Sequence, residues 1–145
     1  MSTADRILLV LHVGFAIFTL GPLTAATMST PRYIRARNVQ VLRYLRLTTR
    51  IYGLATLGIF VFGLFLAEGR FDQVWLSASM TLFIVAFLLL LLIERDQGKV
   101  ISKLGKAEPG AEGPDIRAEQ SRIAAVSGIT ALLWVVILVL MIWNG

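Results

Sequence analysis

Apolar positions along the chain fall into four long runs, at 7–28, 51–67, 74–93 and 123–143, and none of them contains Asp, Glu, Lys or Arg. A helix needs about 20 such residues to cross the hydrocarbon core of a bilayer. The second run is the shortest. It reaches spanning length by taking in 47–49 if Arg50 extends its guanidinium to the headgroups. The pattern predicts an all-α fold, a four-helix transmembrane bundle forming a single transmembrane domain, with helices near 7–28, 38–67, 74–104 and 114–143. The first run is longer than the about 7–15 residues of a signal-peptide core, and only Arg6 precedes it, so we read it as a span.

Polar residues refine the ends. Thr30-Pro31 has the form of an N-cap followed by proline in a first helical turn, which predicts a new helical start there. The second helix is expected to begin near Asn38, ahead of its apolar run. Residues 94–104 can continue the third helix, with Val100, Ile101 and Leu104 on one side. Gly105, Pro109, Gly110, Gly113 and Pro114 then mark a mobile loop at about 105–113, and Pro114-Asp115 an expected start for the fourth helix. The short connection at 68–73 makes the second and third helices antiparallel neighbours. Gly21-Pro22 should kink the first helix, because proline lacks a backbone donor and crowds the carbonyl of Phe18.

Composition agrees with a bilayer: 57% of residues are hydrophobic and 16% charged, against about half and a quarter in soluble domains. Charge placement gives orientation. Of the fourteen lysines and arginines, all except Arg6 and Arg70 lie between the first and second runs or between the third and fourth. A four-span chain puts those two loops on one side, which the positive-inside rule makes cytoplasmic. Both termini are then outside, in a multi-pass protein expected in a bacterial plasma membrane.

Candidate chemistry is sparse. The chain has no cysteine, which excludes disulfides and thiolate metal sites. His12 is the one histidine, inside the first run. A span histidine is a functional candidate, here for a haem or quinone contact. Its plainer role is a hydrogen bond to a neighbouring helix. A bis-histidine haem lacks its second ligand, and a proton relay lacks carboxylates within the runs. We therefore expect no cofactor, metal or catalytic residue, and no enzyme. Arg43, Arg46 and Arg50 fall on one helical stripe, suited to anionic phospholipid or an acidic partner, or serving only to set topology. Small residues mark close helix approach in lipid. Gly14, Gly21 and Ala25 share a face of the first helix, and Ala124, Ser127, Gly128 and Ala131 form a stripe on the fourth. Gly53, Gly58 and Gly63 spread around the second. The stretch 88–92 is unbroken leucine and reads as a lipid-facing or partner-facing surface.

Several segments resemble a known family. Leu11-His12-Val13, Gly21-Pro22, Pro31-Arg32-Tyr33, Arg50-Ile51-Tyr52-Gly53, Phe62-Gly63 and Leu133-Trp134-Val135-Val136 are similar to stretches of the DUF2269-like proteins, small actinobacterial four-span proteins of unknown function. The resemblance implies membrane topology and carries no catalytic residue. By type, the chain is also similar to accessory subunits of the actinobacterial respiratory supercomplex, which joins cytochrome bcc to an aa3 oxidase. That similarity implies a non-catalytic accessory or assembly role beside other integral membrane subunits, in the respiratory chain and away from nucleic acid. The alternatives are a small oligomeric transporter or channel, and a haem- or quinone-associated protein using His12.

Overall fold

The computed structural model describes residues 2–67, 72–106 and 113–144. Four helices account for nearly all of them: α1 (Thr3–Arg35), α2 (Val39–Ala67), α3 (Val74–Gly105) and α4 (Arg117–Asn144). Neighbours in sequence are neighbours in space, and α4 closes the ring against α1. The result is an up-down-up-down bundle with α1 and α3 on the diagonal. We call the end holding the α1–α2 turn the basic end, and the other the terminal end. The connection at 68–71 and most of the expected mobile loop, 107–112, lie outside the described residues.

All four helices are long and apolar enough to cross a membrane, and this is a multi-pass membrane protein. The bundle surface confirms the solvent it is built for. Val10, Ile17, Leu54, Phe65, Leu132 and Ile142 are all exposed, and Phe18 is 76% exposed. A water-soluble bundle turns polar residues to that surface. Inside, Leu23, Ile59, Phe83, Leu90, Ile93 and Ile123 form the core. Phe83 lies between Phe60 and Trp134, with ring centroids 5.1 and 5.6 Å apart. The leucine run at 88–92 divides: Leu88 and Leu91 face outward while Leu90 is buried in the core.

The helix ends differ from the sequence expectation in two places. The first helix is longer at both ends than 7–28. It starts on a capping box, in which Ser2 Oγ accepts from Asp5 N and Asp5 Oδ2 accepts from Ser2 N. It then runs through Pro22 and Pro31 to Arg35, so Thr30-Pro31 does not begin a helix. Pro31 cannot donate to the carbonyl of Thr27, four residues back. That carbonyl instead accepts from Ser127 Oγ on α4, at 3.1 Å. The vacancy in the ladder is filled by a tertiary bond, and the helix continues.

α1 ends in a Schellman arrangement. Asn38 N donates to Tyr33 O and Arg37 N to Ile34 O, with Arg37 in the left-handed region at φ 53°. Glycine normally occupies that position. Asn38 then caps α2, which starts where expected, its Oδ1 accepting from Val41 N. The second difference is at α4, which starts at Arg117 and not at Pro114. Asp115 Oδ1 accepts from Arg117 N, and Ile116 O takes the first ladder bond from Gln120 N. The Asp115 side chain thereby turns the chain into the helix.

Candidate functional site

At the basic end, polar side chains that follow the third apolar run are buried between the helices. Asp96 and Gln97 are fully buried, and Glu119 nearly so. α3 is the hub. Gln97 Nε2 donates to Thr30 Oγ1 of α1 at 3.0 Å and to Thr49 Oγ1 of α2 at 3.1 Å. Each threonine hydroxyl passes its own proton to a carbonyl one turn back, Ala26 and Leu45. Both hydroxyls are therefore acceptors toward Gln97, which fixes the amide orientation. Gln97 Oε1 is left with no hydrogen-bond partner among the described residues.

One residue earlier, Asp96 faces α4. Arg122 grips it with two hydrogen bonds, Nε to Oδ2 at 2.5 Å and Nη2 to Oδ1 at 2.7 Å. This is the two-pronged geometry that only a guanidinium supplies. Nearer the solvent, Lys103 Nζ reaches Glu119 Oε1 at 2.6 Å and the Asp115 carbonyl at 3.2 Å. Glu119 lies four residues ahead of the fourth apolar run. The hydrogen bond from Lys103 holds its carboxyl below the usual carboxylate range.

The arginine stripe divides in the same layer. Arg46 Nε and Arg50 Nη2 both donate to Glu94 Oε1 of α3, each at 2.9 Å. Arg46 crosses Gly98 to get there: a Cβ on Gly98 would sit 2.7 Å from its guanidinium carbon. Arg43 is exposed and makes no ion pair among the described residues. Two of the three arginines expected to meet lipid or a partner are thus engaged within the bundle, with one carboxylate shared between two cations.

His12 lies in the terminal half. Its Nδ1 donates to the Ile59 carbonyl of α2 at 3.0 Å, and its ring packs where a Cβ on Gly63 would be 3.2 Å from Cε1. Phe15 takes the equivalent seat at Gly58, with a ring carbon 3.0 Å from the same construction. Gly58 and Gly63 of α2 are therefore recesses for two rings of α1. The donated Nδ1–H leaves Nε2 of the neutral ring as its acceptor atom.

The small-residue faces have a different fate. Gly21 and Ala25 of α1 and Ala124 and Gly128 of α4 are exposed, while Gly14 and Ala131 are half-buried. A Cβ built on Gly14, Gly21 or Gly128 meets nothing within 4 Å. α1 contacts the bundle instead through Thr19, Leu23, Ala26, Thr27 and Thr30, and α4 through Ile123, Ser127, Thr130 and Trp134. Only Ser127 of the predicted α4 stripe is buried.

Chemically, the polar layer joins helices. Each of α1, α2 and α4 is tied to α3 by a different side chain at one level, which fixes rotation and register in a bundle whose apolar sides would otherwise slide. Among the described residues no three His, Asp or Glu side chains gather as a metal ion requires. The sequence does not announce this layer, because the charges on the helical extensions either side of the loop at 105–113 read as a topology signal. The signal available was the apolar trio Val100, Ile101 and Leu104, which extends the buried face of α3 past Asp96 and Gln97. No family model, curated protein or solved structure matches the chain.

Proposed function

We propose that this protein is a non-catalytic accessory or assembly subunit of a larger membrane complex. The observation that carries the reading is the exposure of Gly21 and Gly128, where an added Cβ would meet nothing within 4 Å. In lipid, helices associate through packing and close backbone approach, since burial of apolar surface supplies little drive. The bundle spends its buried threonines, leucines and aromatic rings on itself and leaves its glycine faces for other helices. The polar layer supports the same reading, because its hydrogen bonds and ion pairs are made between helices of the bundle and tie α1, α2 and α4 to α3.

For the partner we propose the respiratory supercomplex of cytochrome bcc and aa3 oxidase, in a bacterial plasma membrane with the basic end cytoplasmic. Support for that choice is the likeness of type and the distribution of lysine and arginine. The test is extraction of the tagged chain in mild detergent, native electrophoresis, and mass-spectrometric identification of companions. Co-migration with larger haem-bearing subunits is expected. Recovery of the chain alone, or only with copies of itself, overturns the proposal.

A further inference from the structure

A second feature of the basic end is a cavity of about 520 Å³ between the α1–α2 turn and the start of α4. That is within the about 300–1,000 Å³ of small-molecule sites. Its lining includes Arg35, Arg37, Arg117, Gly113, Asp115 and Gln120. Three arginines and one aspartate thus line it. The aspartate carboxylate is already engaged, since Asp115 Oδ1 accepts from Arg117 N. Neither Arg35, Arg37 nor Arg117 forms an ion pair among the described residues, whereas Arg46, Arg50 and Arg122 all do. Three such unpaired arginines therefore line one cavity.

Arg37 is also held in place. Its backbone is in the left-handed region, fixed by the paired bonds that end α1. From there its guanidinium lies against the backbone of Gly113, where a Cβ would come within 2.6 Å of Nη1. An arginine in a conformation better suited to glycine, laid over a glycine across the cavity, is a costly way to set topology. Basic pockets at the end of a membrane bundle suit phosphate headgroups, and the guanidinium fork matches phosphate oxygens.

We propose that this cavity binds one anionic phosphate group through Arg35, Arg37 and Arg117. The group belongs either to a phospholipid headgroup or to free phosphate. The site is distinct from the Arg43, Arg46 and Arg50 stripe and does not depend on the accessory role.

The test uses the full-length protein, delipidated in detergent, with Arg37→Gly and Arg117→Gln as cavity variants and the exposed Arg43→Gln as control. Arg37→Gly places the residue that the left-handed position favours, so the fold survives it. One arm counts bound phosphatidylglycerol against phosphatidylcholine by native mass spectrometry. The other follows thermal unfolding in sodium phosphate against chloride at equal ionic strength. Losing one charge-assisted contact should weaken binding about tenfold in each cavity variant, and Arg43→Gln should match wild type. A single retained phosphatidylglycerol that the cavity variants lose assigns the group to lipid. Stabilisation by phosphate that only the cavity variants lose assigns it to the free anion. Equal binding by wild type and Arg37→Gly, equal loss in Arg43→Gln, or binding of neither probe overturns the proposal.

Discussion

Replacing Gln97 by leucine should leave the bundle as stable as before or more so, although it deletes two buried interhelical hydrogen bonds. Gln97 is fully buried, and its Nε2 donates to Thr30 and Thr49 at 3.0 and 3.1 Å. Interhelical hydrogen bonds in membranes contribute about 0.6 kcal/mol each. Against that loss stands Oε1, a buried acceptor without a partner among the described residues, whose desolvation costs about 1–3 kcal/mol. Leucine removes the orphan and fills most of the volume. Neither threonine is stranded, because each hydroxyl still donates to its own helix. The net effect of Gln97→Leu lies between neutral and about 2 kcal/mol stabilising. Gln97→Ala removes the same bonds but opens a cavity, and large-to-alanine truncation of buried side chains costs about 2–5 kcal/mol. Equilibrium unfolding in mixed micelles, titrated with a denaturing detergent, compares the two. A Gln97→Leu protein destabilised by about 2 kcal/mol or more, or one no better than Gln97→Ala, would refute the assignment of Oε1 as an unpaired group.

Two further outcomes follow from the same layer. Ser127→Ala removes the donor to the carbonyl that Pro31 frees and should cost about 1 kcal/mol. In a Pro31→Ala background the restored backbone N–H occupies that carbonyl, so the same change should cost clearly less; a double-mutant cycle with no coupling contradicts the pairing. Glu119 is held below its usual range by Lys103. Its stabilising contribution is therefore full above the unfolded carboxyl's pKa and is lost as pH falls through the lower folded value. Thermal unfolding should show that acid-side loss in wild type and a flatter profile in Glu119→Gln.

The four spans were legible because a bilayer imposes one rule over some twenty residues, and the apolar runs satisfy it without a single charge. The start of α2 near Asn38 was legible too, from the helical spacing of Arg43, Arg46 and Arg50 ahead of the apolar run, although the Asn38 side-chain cap was not. Thr30-Pro31 misled because a local rule ignores tertiary donors: Ser127, 100 residues on from Thr27, supplies the bond to the Thr27 carbonyl that lets the helix continue. Asp96, Gln97 and Glu119 were hidden by the assumption that charge means solvent. What makes their burial tolerable is a partner on another helix, Arg122 for Asp96 and Lys103 for Glu119, and no periodicity announces such a partner. The arginine stripe was visible as spacing, but its use within the bundle depends on Glu94 and on the bare backbone of Gly98. His12 likewise read as a lone ionisable group until Ile59 and Gly63 supplied its acceptor and its recess.

The central claim, that the open glycine faces of α1 and α4 receive other subunits, is tested most directly by Gly21→Leu and Gly128→Leu. Neither position has a neighbour within 4 Å of an added Cβ, so each variant should unfold within about 1 kcal/mol of wild type. The decisive measurement is the amount of companion subunit recovered with each variant from detergent-solubilised membranes. At least one variant is expected to lose its companions while its own folding and expression are unchanged. Full recovery with both leucine variants would contradict it.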